Sequence, residues 1–134
     1  MIKIRIVSSK DDINGIARSD QTVHLAYRAS STDMFRLLQS SPRIRAIQVP
    51  PSYYKNMPNT ARTFLETQGV EIIEGDVWGH RKDIDEYFII NDEMIDRITN
   101  LQSEGLEDEE ISSKVSWVSK LSPAMVNYII RQSA

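Results

Sequence analysis

Four short apolar runs, each handing over to a helix-start signal, set what this chain can fold into. Ile2, Ile4 and Ile6 alternate with Lys3 and Arg5, the pattern of a strand with one apolar and one wet face. Residues 21–27 give a second strand, with Val23, Leu25 and Tyr27 on one face and His24 and Ala26 on the other. Residues 44–49 give a third and residues 70–74 a fourth; Tyr87-Phe88-Ile89-Ile90 reads as a fifth. Between them lie helix signals. Ser8-Ser9 can cap a short helix with Ile13, Ile16 and Ala17 on one side, which Gly15 weakens. Ser30-Ser31-Thr32-Asp33 starts a helix that Pro42 stops. Pro50-Pro51-Ser52 opens a helix reaching about residue 68, which Met57-Pro58 can divide, and Gly69 stands where a left-handed C-cap belongs. Strands alternating with helices at this spacing imply βαβ units, right-handed crossovers and a mainly parallel sheet. The basic residues in the first strand suggest an edge position or a poorly covered face.

After residue 90 the pattern turns helical. Asn91-Asp92 starts a helix carrying Met94, Ile95, Ile98 and Leu101, and Gly105-Leu106 ends it. Asp108 caps a second helix with Ile111 and Val115; Ser122-Pro123 opens a third with Met125, Val126, Ile129 and Ile130. The expected fold is a small three-layer α/β domain over residues 1–90, with a mainly parallel sheet of four to five strands. A three-helix segment follows over residues 91–134.

Composition narrows the function. The 134 residues contain no cysteine, which excludes a disulfide scaffold, a Cys-ligated metal and a thiol nucleophile. No run approaches membrane-spanning length. The opening residues alternate apolar and basic, where a signal peptide needs an unbroken apolar region; the expectation is a cytoplasmic protein without membrane contact. Net charge is −3, but unevenly spread. Residues 1–90 hold twelve Lys/Arg and eleven Asp/Glu, and residues 91–134 hold four and eight.

The densest chemistry lies in Gly75-Asp76-Val77-Trp78-Gly79-His80-Arg81-Lys82-Asp83-Ile84. In an open parallel sheet, ligands bind beyond the carboxyl ends of the strands, and this stretch leaves the fourth strand there. Arg28, Ser30 and Ser52 leave the second and third strands at the same edge, beside helix N-termini that favour anions. The expected site is a pocket for a small phosphate, nucleotide or carboxylate. Its principal contacts are Asp76, His80, Arg81 and Lys82, and its supporting contacts Arg28, Ser30 and Ser52. The plainer reading makes these serines helix caps and Arg28 a surface ion-pair partner. His80 is the candidate general acid/base of a small hydrolase or transferase, without an evident nucleophile beside it. Asp76, His80, Asp83 and Asp85 could ligate a cation, but their spacing matches no specific site and no metal or cofactor is assigned. Trp78 is a stacking platform or, more simply, a core plug. His24, on a strand, reads as a hydrogen-bonded structural histidine.

The segment from Asp96 to Arg131 resembles the helix-turn-helix of resolvase-type and response-regulator DNA-binding modules. Glu104-Gly105-Leu106-Glu107-Asp108-Glu109-Glu110-Ile111 and Leu121-Ser122-Pro123-Ala124-Met125-Val126 carry the resemblance. It departs from that pattern by about one extra helical turn between Ile111 and Ser122, and by Lys120 where a turn glycine is expected. The resemblance implies a regulator, working as a homodimer, that contacts DNA through Asn127 and Arg131. The acidic balance of the tail opposes this, because phosphate neutralisation supplies much of DNA affinity; the alternative is a helical cap on the sheet. The ten-residue stretch, with Glu86-Tyr87 after it, is also similar to an uncharacterised archaeal family known mainly from methanogens. So are Ile6-Val7-Ser8-Ser9-Lys10, His24-Leu25-Ala26-Tyr27-Arg28 and Pro50-Pro51-Ser52-Tyr53. That resemblance implies an archaeal cytoplasmic protein and carries no activity with it.

Overall fold

In the computed structural model, which describes residues 1–77, 86–119 and 121–133, strand alternation sorts the side chains onto two separately covered faces. Four parallel strands, β1 (Ile2–Val7), β2 (Thr22–Leu25), β3 (Ala46–Val49) and β4 (Glu71–Glu74), are joined by an antiparallel β5 (Tyr87–Ile90). The sheet order is β4-β3-β2-β1-β5. Val7, Val23, Leu25, Ile47 and Val49 point to one face and meet a 3₁₀ turn (Lys10–Gly15), α1 (Ser31–Ser40) and α3 (Asn59–Thr67). Ile4, Ala46, Ile73 and Ile90 point to the other. There they bury α4 (Asp92–Ser103), α5 (Asp108–Ser119) and α6 (Pro123–Ser133). The result is the expected α/β class with a mostly parallel five-stranded sheet, but the third layer comes from the C-terminal helices and not from within residues 1–90.

Local chemistry accounts for most element ends. Met57-Pro58 divides the second crossover into a short α2 (Pro51–Lys55) and α3. Gly69 and Gly105 take φ of 76° and 86°, a region where an L side chain is disfavoured by about 1–2 kcal/mol. The Gly105 turn joins α4 to α5.

One expectation is overturned. β1 is not an edge strand; it lies between β2 and β5. β5 covers Arg5, while Lys3 stays exposed with the Tyr87 ring beside it. The Arg5 guanidinium sits 5.4 Å from the Tyr87 ring centroid and pairs with Glu86 at 3.5 Å, and the Lys3 ammonium lies 5.8 Å from the same ring. The second strand is also shorter than its pattern suggests, ending at Leu25. β4 ends and β5 begins at the same carboxyl edge, four strand positions apart, which is about 19 Å.

α6 packs against β4 and runs opposite to it, with Ser122 beside Gly75 and Arg131 beside Glu71. Its N-cap Ser122 abuts Gly75 and Gln48 at the carboxyl edge, and its Tyr128 reaches Thr22 and Arg45 at the amino edge. The lengths agree: six helical residues rise about 9 Å, and three strand residues span about 10 Å.

Candidate functional site

The carboxyl edge is organised by a buried polar group under the start of α6. His24 is fully buried. Its Nδ1 faces Gln48 Oε1 at 2.9 Å and its Nε2 faces Asp76 Oδ1 at 3.4 Å. Asp76 Oδ1 also accepts from the Val77 N–H at 2.8 Å, so the carboxylate fixes the exit from β4. The reading of His24 as a hydrogen-bonded histidine was available from the sequence. Its partner Gln48, one strand away, was not.

Three of the other residues expected here are placed plainly. Ser30 caps α1: its Oγ accepts from the Asp33 N–H, and the Asp33 carboxylate accepts from the Ser30 N–H, both at 3.1 Å. Arg28 is exposed and lies 5.7 Å from the Tyr53 ring centroid. Ser52 is exposed on α2, where no side chain caps the helix. The cavity beside Arg28 and Tyr53 measures ≈ 20 Å³, room for about one water. Trp78, Gly79, His80, Arg81, Lys82, Asp83 and Asp85, which carried the principal contacts and the catalytic reading, lie outside the described residues, as does Lys120.

Two clefts far roomier than this cavity lie at the opposite, amino edge. One cleft of ≈ 390 Å³ is bounded by Lys3, Asp20, Thr22, Arg45 and Tyr87 from the sheet side, and by Tyr128 and Gln132 from α6. A second, of ≈ 490 Å³, adjoins it through Gln21 and Arg45 and extends past Arg43 to Gln68. The loops building this edge are tied together: Ser41 Oγ donates to the Arg18 and Asp20 carbonyls at 3.3 and 2.8 Å, and the Arg45 N–H donates to the Gln21 carbonyl at 2.7 Å. Lys3, Arg18, Arg43 and Arg45 are all exposed. Among the described residues none of them has a carboxylate within ion-pairing distance. Asp20 is already engaged, accepting from the Tyr87 hydroxyl at 2.8 Å and the Ala17 N–H at 2.9 Å. Burial and this bond to Asp20 raise the Tyr87 phenol. Burial raises Tyr128 likewise, against the opposing pull of the Thr22 hydroxyl and Arg45.

α6 joins this edge from the tail. Met125, Val126, Tyr128, Ile129 and Ile130 are buried, while Pro123 and Arg131 are exposed and Asn127 is half-buried. At about 100° per residue, Pro123, Asn127 and Arg131 share one arc. More than half of the helix circumference is therefore covered, and Asn127 and Arg131 lie on what remains. Arg131 pairs with Glu71 at the start of β4, beside the amino edge. Packing of the tail on the sheet was one of its two readings; the approach of α6 to Arg45 was not legible from the tail alone.

Comparison with known families matches two stretches of the chain. Residues 3–86 match the N-terminal domain model of a family of unknown function (DUF1699). Residues 93–131 match that family's C-terminal helix-turn-helix domain. No curated protein and no solved structure matches the chain. Among the described residues no helix is long and apolar enough to cross a membrane.

Proposed function

The chain belongs to this DUF1699 family, and from that premise we propose that it is a nucleic-acid-binding regulator. In this reading the helix-turn-helix supplies orientation and the amino edge of the sheet supplies charge. The tail is too acidic to neutralise phosphates by itself, with eight carboxylates against four cations. Its third helix, however, ends against a surface holding Lys3, Arg18, Arg43 and Arg45. This junction is the observation that carries the reading. Basic side chains free of carboxylate partners suit the sequence-independent part of DNA affinity. Asn127 and Arg131, on the open arc of α6, are the contacts left for base edges or further phosphates. Because α6 is covered over more than half of its circumference by α4, α5 and the sheet, it meets DNA along one side rather than sinking into the major groove, which is roughly 8.5 Å deep. The expected affinity is modest and strongly salt-dependent.

The test is fluorescence anisotropy of a labelled random-sequence duplex at low salt, for the wild-type chain and for Arg43→Ala/Arg45→Ala. Binding that weakens in the double variant supports the reading. Absence of binding at low salt, or binding indifferent to both arginines, rejects it.

A further inference from the structure

The ≈ 390 Å³ cleft at the amino edge differs from the rest of this surface in being walled by both halves of the chain. Its volume is within the roughly 300–1,000 Å³ usual for small-molecule sites. Two cations face it, Lys3 and Arg45, each exposed and without a carboxylate partner among the described residues. Asp20, which also lines it, has one oxygen on the Tyr87 hydroxyl and the other on a backbone N–H, so it does not neutralise them by contact. From α6 come the phenol of Tyr128 and the amide of Gln132. Such a constellation, two free cations with neutral hydrogen-bonding groups around them, is complementary to a compact dianion carrying hydroxyls.

We infer that this cleft binds a small phosphomonoester, its phosphate between Lys3 and Arg45 and its hydroxyl-bearing part against Tyr128 and Gln132. Tyr128 stays protonated at neutral pH, since burial raises its phenol, and so remains a donor. A ligand seated there touches β1, the start of β3 and the last turns of α6 at once. It also occupies Arg45, which the nucleic-acid reading uses for a phosphate, so ligand and nucleic acid compete for that residue. The site itself does not depend on that reading.

The experiment is a two-dimensional ¹⁵N–¹H titration of the full chain with ribose 5-phosphate, with ribose and with inorganic phosphate, at constant ionic strength. The expected result is saturating shifts at the amides of Lys3, Thr22, Arg45 and Gln132 with both phosphates and none with ribose. Arg45→Met and Lys3→Met, which keep the aliphatic stems, each weaken ribose 5-phosphate binding by about tenfold. Arg97→Met, on α4 and away from the cleft, and Arg43→Ala, on the adjoining groove, leave it unchanged. Arg43→Ala still lowers DNA affinity, so this inference and the nucleic-acid reading fail separately. Shifts that do not saturate, that map away from these amides, or that survive both methionine variants at full affinity would overturn the inference.

Discussion

Gly75 is where the docking of α6 on the sheet is most sharply specified, and Gly75→Ala tests it. A Cβ built there would lie 2.4 Å from Ser122 Oγ, 2.6 Å from Gln48 Nε2 and 2.8 Å from Ser122 Cβ. Carbon atoms in ordinary contact are about 3.5–4.0 Å apart, so roughly an ångström of movement is needed. Gln48 cannot easily supply it, because it is 1% exposed and holds His24. Ser122 cannot supply it without leaving the Met125 N–H that it caps at 3.1 Å. The first turn of α6 must therefore lift. Overpacking of this kind costs about 1–3 kcal/mol, and disturbing the cap adds about 1 kcal/mol. For a domain of this size each kcal/mol is worth about 3–4 °C in Tm. We expect a loss of about 2–4 kcal/mol by urea denaturation and a fall of about 7–14 °C by calorimetry. Ser122→Gly is the decisive partner. It removes both obstructing serine atoms and costs only a few tenths of a kcal/mol at an N-cap (roughly). In the Gly75→Ala background it should restore about half the loss or more. Gly75→Ala within about 0.5 kcal/mol of wild type, the usual range for an unconstrained surface change, or strict additivity of the two substitutions, would refute the packing argument.

Three other outcomes follow from single interactions. Ser30→Ala removes one half of the α1 capping box and should cost about 1 kcal/mol in urea melts, while ribose 5-phosphate binding at the opposite edge stays as it was. Burial raises Tyr128 above its ordinary 10.0; the unfolded chain therefore gives up that proton first as pH climbs. The associated stability is present below pH 10 and is lost above it, and the decline between pH 9 and 11 should be shallower in Tyr128→Phe. Glu71→Gln releases Arg131 from an exposed pair, itself worth about 0–1 kcal/mol, and removes a carboxylate from the amino edge. DNA affinity measured by anisotropy should rise a few-fold (roughly) at low salt, with stability nearly unchanged.

The parts of the fold that depend on local pattern were open to reading. Alternating isoleucines, the serine cap before α1, the Met57-Pro58 break, and the glycines at 69 and 105 each act within a few residues. Parallel order followed from the helices between strands. What escaped depends on contacts distant in sequence. Lys3 and Arg5 looked like edge residues, but β5, more than eighty positions later, pairs with their strand and places Tyr87 beside both cations. Gly75 opened a conspicuous stretch, but its need for a hydrogen in place of a side chain arises from Ser122. The rule that ligands bind beyond the carboxyl ends of parallel strands says nothing of the amino edge. Its signal was nonetheless present: Arg18, Arg43 and Arg45 all stand in the short segments that lead into β2 and β3, which parallel topology gathers at one edge. No local motif marks such a surface, because its members are drawn from both ends of the chain. Caps and apolar spacing identified the three tail helices, but nothing local to them fixes how α6 packs between α4, α5 and the sheet.

The most direct measurement is the salt dependence of duplex DNA binding by the wild-type chain between 50 and 200 mM KCl, roughly the interval over which counterion release is readily resolved. Engagement of Lys3, Arg43, Arg45 and Arg131 with phosphates predicts a log–log slope of about −3 to −4 and a loss of about a hundredfold in affinity across that range. Arg43→Ala/Arg45→Ala should flatten the slope by about two. A slope near zero, or one that the double variant leaves intact, would contradict the assignment of the amino edge as the nucleic-acid surface.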